Sequence, residues 1–122
     1  MIIKHSREVD EVVVPNGVKT VRQVLISSQE APNFALRRFI MQPGGGMPRH
    51  TNTVEHEQYV LNGQARVGIG SEVFEVKKGD VVFIPENVPH WYENTGSDTF
   101  EFICVVPNKP DVTTLVPDEP AC

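Results

Sequence analysis

The stretch GGGMPRHTNTVEHEQYVLNG, residues 44–63, brings two of the chain's four histidines, His50 and His56, into a turn-and-strand setting. Three consecutive glycines permit a backbone path that side chains do not obstruct. Glu57 to Leu61 reads as a strand, and Asn62-Gly63 behind it is a hairpin signal, because both residues accept a positive φ. A third histidine, His90, stands in GDVVFIPENVPHWYEN, residues 79–94, after a proline turn and at the head of another strand-like run. A lone histidine in a β-protein is usually a hydrogen-bonded structural residue. Three of them at turn-to-strand positions point instead to a shared divalent metal, for which imidazole is the usual nitrogen ligand.

Working outward, the flanking chain is a series of short β-branched and aromatic runs. Ile2 to Lys4 and Val9 to Val14 precede a turn at Pro15-Asn16-Gly17. Thr20 to Ser27 and Phe34 to Gln42 read as strands, and the segment PGGGMPR is expected to break the second. In that second strand both alternating sets are largely apolar: Phe34, Leu36, Arg38, Ile40 on one side and Ala35, Arg37, Phe39, Met41 on the other. One of the two arginines must therefore face a barrel interior or a subunit contact. Downstream, Gln64 to Ile69 and Val73 to Val76 form a hairpin around Gly70-Ser71. Val81 to Ile84, Trp91 to Glu93 and Phe100 to Val106 are further strands. Helical periodicity is missing throughout, so the pattern predicts an all-β barrel or sandwich.

The 122 residues suit one domain, 1–107 with its core at 34–106, followed by a Pro-rich tail, 108–122, expected to be extended over the surface or disordered. A net charge of −5 without a Lys/Arg run argues against nucleic acid and against anionic membrane as partners. The N-terminus MIIKHSREVD lacks the apolar stretch of a signal peptide, and the two cysteines, Cys104 and Cys122, suit a reducing, cytoplasmic setting. A disulfide between them has no support in the pattern. The Gly68–Gly70 run is not a phosphate loop, since no helix follows it. His5 is assigned no role.

The spacings resemble those of the cupin superfamily. Gly44, five residues, His50, one residue, Asn52, three residues, His56, six residues and Gly63 follow the first cupin motif. Gly79, five residues, Pro85, one residue, Asn87, two residues, His90, three residues and Asn94 follow the second, with fifteen residues between the two. The resemblance implies the cupin double-stranded β-helix, a jelly-roll-like barrel, with a metal held by His50, His56, His90 and, in the position of the usual second histidine, Asn52. His56 replaces the usual glutamate, as in small bacterial cupins that bind manganese through four histidines, to which the Glu55-His56-Glu57, APNF and EFIC segments are also similar. Asn87 stands for a glycine and tolerates the same left-handed turn.

With neutral ligands only, such a metal keeps its full charge and acts as a strong Lewis acid with open positions for a chelating anion and O₂. The resemblance implies Mn²⁺ or Fe²⁺, with Ni²⁺, Cu²⁺ or Zn²⁺ as other occupants, and a dioxygenase-like oxidoreductase acting on a small organic substrate. A redox-neutral isomerase or lyase for a sugar-like or hydroxy-acid substrate, and a non-catalytic binding module, are the competing readings. If His56 points inward, Gln58 does too, and its amide then needs a partner such as a metal-bound water or substrate. Tyr92 shares the inward phase of His90. The resemblance adds Phe102 and Cys104 to the cavity lining, although plain core packing also explains the thiol. Outward Tyr59, Leu61, Ile103 and Val105, with the habit of similar cupins, imply a homodimer.

Overall fold

The computed structural model describes residues 1–117. Cys122 and the end of the tail lie outside the described residues. After a 3-10 turn at Ser6–Glu8 the chain forms β1 (Val12–Val13), β2 (Val18–Ile26), β3 (Phe34–Asn52), β4 (His56–Asn62), β5 (Gln64–Ile69), β6 (Glu72–Lys77), β7 (Val81–Ile84), β8 (His90–Glu93), β9 (Phe100–Pro107) and β10 (Thr113–Leu115). All pairings are antiparallel. The main order is β6-β5-β8-β3-β9-β4-β7, with β2 and β10 also on β3 and β1 on β2. The sheet curls, so that β3 serves two layers. Its first half, Phe34 to Met41, pairs with β9, and its second half, Gly46 to His50, pairs with β8. This is the expected all-β, double-stranded β-helix architecture.

The core fills the space between the layers. On β9 the residues Phe100, Phe102, Cys104 and Val106 alternate inward, and on β4 His56, Gln58 and Val60 do the same. Fully burying a side chain such as Phe102 is worth about 1.5–3 kcal/mol, so this alternation pins the register. Of the two arginines on β3, Arg37 shares the phase of buried Ala35, Phe39 and Met41 and turns inward. Arg38 takes the other face, where it pairs with Glu101 and donates to Gln23 at 3.5 Å. The amide of buried Gln23 in turn donates to the carbonyls of Ser6 and Val9, at 2.8 and 3.0 Å, which ties the N-terminal segment down.

Three expectations are corrected. The segment PGGGMPR does not end the strand; β3 runs through it. Gly46 makes this possible, because a Cβ there would lie 2.2 Å from the Tyr92 carbonyl oxygen and would push β8 away. Asn62-Gly63 does not close a hairpin. β4 pairs with β7 and β9, while β5 pairs with β6 and β8. The dipeptide instead carries the chain from one layer to the other: the Asn62 amide donates to the Thr99 carbonyl at 2.9 Å, and Gly63, at φ 78°, packs its bare Cα on the same oxygen. Ile2 to Lys4 forms no strand; local β-propensity there lacks a partner edge. In the described part of the tail, Thr113, Thr114 and Leu115 pair with β3, opposite Asn52, Thr51 and His50. No helix among the described residues is long and apolar enough to cross a membrane.

Candidate metal centre

Strand alternation and two turns bring His50, Asn52, His56 and His90 to the wall of one cavity of about 380 Å³. His50 and Asn52 are two apart on β3 and share its inner face, His56 opens β4, and His90 opens β8 directly opposite His50. Asn87 delivers His90. It adopts φ 63°, the left-handed conformation expected of it, and its N–H donates to the Asn52 carbonyl at 2.7 Å. Asn94, last of the second motif, is buried; its amide donates to the Met41 and Asp98 carbonyls and its oxygen accepts from the Gly96 N–H, so its role is to shape the turn. The ring centroids of His50 and His90 stand 4.2 Å apart, and those of His56 and His90 5.6 Å.

The hydrogen bonds assign the free nitrogens. His50 Nδ1 lies 2.7 Å from the Pro48 carbonyl and His90 Nδ1 lies 3.0 Å from the Val88 carbonyl. A carbonyl only accepts, so Nδ1 carries the proton in both rings and Nε2 keeps its lone pair for a metal. Two buried polar atoms on the same wall have no hydrogen-bond partner among the described residues: His56 Nε2 and Asn52 Oδ1. The orientation of the asparagine is settled by its neighbours. Its Nδ2 donates to Asp111 at 3.3 and 3.4 Å and to Thr113 Oγ1 at 3.0 Å. The Asp111 carboxylate needs a donor, which leaves the Asn52 carbonyl oxygen as the exposed acceptor.

His56 is arranged differently. Its Nδ1 stands 3.2 Å from the Arg37 guanidinium and 3.2 Å from Cys104 Sγ. Arginine only donates, so with this contact made Nδ1 is an acceptor and the proton sits on Nε2. Binding a metal through Nε2 requires the other tautomer, with Nδ1–H donating to the sulfur. Among the described residues no group of three or more His, Cys, Asp or Glu side chains stands in closed metal-binding geometry. His50 Nε2, His90 Nε2 and Asn52 Oδ1, joined by His56 Nε2 in its other tautomer, nevertheless fit a divalent cation, and the donor set of imidazole nitrogen and amide oxygen is one that first-row metals accept.

Protonation states favour ligation. Burial, then Arg37, His90 and His50, push the His56 pKa down to about 3. Burial and His50 push His90 down to about 4, against the raising effect of its hydrogen bond to Val88. Both rings are neutral at pH 7, as a metal ligand must be. Burial raises the Tyr92 phenol and the Cys104 thiol above their ordinary values, so neither is an anion at neutral pH.

Gln58, Tyr92 and Phe102 line the cavity as expected, and Cys104 packs behind His56. The Gln58 Nε2 donates to the Tyr92 hydroxyl at 2.7 Å, so that end of the amide is not left for a water or a substrate. Glu57 is exposed on the outer face. Sequence reasoning did not place the charged Arg22, Arg37 and Asp111, or the hydroxyl of Thr113, in the cavity. Arg37 was recoverable, since it shares the phase of Phe39 and Met41. Asp111 and Thr113 carried no signal, because only β10 pairing brings them to the site.

The pattern of the cupin domain matches residues 37–106, more than half of the chain and all of this cavity's first-motif and second-motif residues. The chain belongs to the cupin family. An uncharacterised protein of Methanocaldococcus jannaschii is 32% identical to this cupin over 104 residues, covering 84% of the chain and 74% of that protein. The acireductone dioxygenase of Alcanivorax borkumensis is 24% identical over 115 residues, 91% of the chain. The chain spans only 60% of that enzyme's length. Among solved structures, the polyketide cyclase RemF from Streptomyces resistomycificus superposes with a TM-score of 0.85 at 29% identity, covering 97% of this cupin and 88% of RemF.

Proposed function

We propose that this cupin is a metal-dependent oxygenase for a small, chelating organic anion. The observation that carries the reading is the pair of buried atoms without a partner, His56 Nε2 and Asn52 Oδ1, beside two imidazoles whose Nδ1 protons are already committed to backbone carbonyls. His50, His56 and His90 would hold the metal through Nε2 and Asn52 through Oδ1, with Mn²⁺ or Fe²⁺ the occupants that the cupin resemblance implies and imidazole nitrogen suiting Fe²⁺, Ni²⁺, Cu²⁺ or Zn²⁺ on donor type. When bound, such an ion supplies Lewis acidity and, for Fe²⁺ or Mn²⁺, one-electron chemistry.

The protein's own residues set the rest. Apart from the would-be ligands, the titratable side chains facing the cavity are Arg22, Arg37, Tyr92 and Asp111. Arginine cannot accept a proton, the phenol is neutral, and Asp111 is engaged by the Asn52 amide. Asp111 is thus the one candidate base among these groups, and a substrate that arrives as an anion needs none. Phe39, Phe102 and Tyr92, stacked at 5.0 and 5.3 Å, form a flat apolar wall that would hold the substrate body and keep water away. The likeness to acireductone dioxygenases, which carry oxygenation in their name, supports this reading.

The likeness to RemF favours a second reading, a redox-neutral ring closure or isomerisation driven by Lewis acidity alone. Two measurements decide. Metal analysis of the gently purified protein is expected to show about one divalent ion per chain, and a protein that refuses added metal sinks both readings. Oxygen uptake with 1,3-diketones, flavonols and electron-rich alkenes then separates them: turnover without O₂, sustained by Zn²⁺, overturns the oxygenase. The homodimer is part of the same proposal. Tyr59, Val81 and Phe83 form an exposed apolar patch on the outer face of β4 and β7, at 51%, 76% and 56% exposure. A second copy would cover it, and sedimentation tests that.

A further inference from the structure

We propose that Arg22 and Arg37 form a carboxylate-binding subsite in the cavity, so that the substrate is an organic acid gripped at one end by guanidinium and presented to the histidines at the other. This rests on the metal-site reading above and names the substrate class of that site.

The two side chains are brought together by register. Arg22 on β2 lies opposite Phe39 on β3, and Arg37 is two residues before Phe39, so the arginines are diagonal neighbours on the inner face. Both line the cavity with the three histidines. Inward guanidinium is costly unless an anion accompanies it; neither arginine is in an ion pair among the described residues, and the one carboxylate whose charge reaches Arg22 is Asp111, beyond salt-bridge distance. The ion pairs among the described residues are Lys4–Glu30, Arg38–Glu101 and Arg66–Glu75. The Nε atoms of Arg22 and Arg37 are buried without a hydrogen-bond partner. Arg37 is also held in place, its guanidinium carbon 5.2 Å from the Phe39 ring centroid.

Charge points the same way. The cavity wall carries two guanidiniums and a single carboxylate, Asp111, whose oxygens take the Asn52 amide. A divalent cation on the histidines adds to this excess. Burial and then the neighbouring Arg37 charge lower the Arg22 pKa, against the smaller raising effect of Asp111, as expected of two cations that share one carboxylate. The donor count adds a further push. Once His56 binds through Nε2, its Nδ1 carries a proton and can no longer accept from Arg37, so the guanidinium loses its contact at 3.2 Å and is left with donors to spend. A planar carboxylate meets such a fork with two parallel bonds.

The test uses Mn²⁺-loaded protein whose metal content is measured before each titration. Calorimetry compares 2-oxobutyrate with 2-oxoglutarate and 2-oxoadipate, which share its chelating head and add a distal carboxylate at two chain lengths. At least one dicarboxylic probe is expected to bind about tenfold or more tightly than 2-oxobutyrate. R22Q and R37Q are each expected to weaken that probe by about 10- to 100-fold, the range for loss of a charged hydrogen bond, and to weaken 2-oxobutyrate, which lacks the distal carboxylate, markedly less. Equal binding of all three probes, or dicarboxylate binding indifferent to both substitutions, overturns the subsite. If R37Q disturbs metal loading through its contact with His56, R22Q, on another strand, decides. Arginine-dependent binding of the dicarboxylate by a protein that takes up no metal keeps the subsite and removes the metal reading.

Discussion

His50 and His90 donate through Nδ1 to carbonyls two residues upstream, whereas His56 and Asn52 are held by side chains 19, 48 and 59 positions away in the chain. The two halves of the centre thus differ in how orientation is achieved. In the first half a turn and a proline-containing segment supply the acceptor, so ring orientation comes with the local backbone. In the second half it depends on β9 and β10 docking against β3 and β4 correctly. The teaching is that one cavity wall can be half self-assembled and half imposed. On the proposed metal reading, the imposed half, with its adjustable His56 tautomer and its tail-held amide, is where affinity and substrate response would be set.

The comparison is broken most severely by removing a ligand from the local half. H90A is expected to abolish metal retention, read as metal content after dialysis, with the fold intact by circular dichroism. If H90A keeps its metal, the cavity is not the binding site. Next, N52H places an imidazole where Asp111 waits to accept its N–H, the carboxylate–histidine arrangement that raises ligand basicity. Affinity for Mn²⁺ is expected to rise about tenfold or more on that scale; unchanged affinity means that residue 52 does not face the metal. Thirdly, D111A leaves every ligand in place and frees the Asn52 amide to flip. Metal affinity is expected to fall about tenfold, the lower end of the effect of losing an outer-shell partner. D111N, which still accepts, is expected to restore most of it, and an equal loss in both variants would show a merely structural role. C104A, removing the acceptor for His56 Nδ1–H, belongs at or below the same scale.

The smallest effect is on pH. His56 and His90 are depressed to about 3 and about 4 from an ordinary value of 6.5. Below 6.5 the unfolded chain binds protons that the folded, metal-free protein does not, so the folded state loses stability as pH falls. The melting temperature of the metal-free protein is therefore expected to be flat with respect to these groups above pH 6.5. It should decline between 6.5 and about 4, and H56Q should flatten part of that decline. A melting temperature that rises with acid over this window contradicts buried, neutral rings.

Much of this was legible in the chain. Alternation in HEQYVLN and FEFICVVP put His56, Gln58, Phe102 and Cys104 on inner faces, and burial bears out each. The strands Gln64–Ile69 and Val81–Ile84 were delimited by their turns. The Asn62-Gly63 dipeptide was misleading for a physical reason: a positive φ reverses or redirects a chain equally well, and only the competing strand edges decide which. The expected break at PGGGMPR failed similarly, since the two neighbouring strands accommodate a Gly-rich segment that no isolated strand would favour.

By itself, the sequence determined the period-two burial, the turns and the histidine spacing, because these depend on residues a few positions apart. Tertiary structure alone decided that Arg37 and Arg22 share one cavity, that the Gln58 Nε2 donates to Tyr92, and that Asp111 and Thr113 turn the Asn52 carbonyl toward the histidines. Those contacts join strands distant in the chain. Their geometry is set by how a curled sheet closes, which no local pattern encodes.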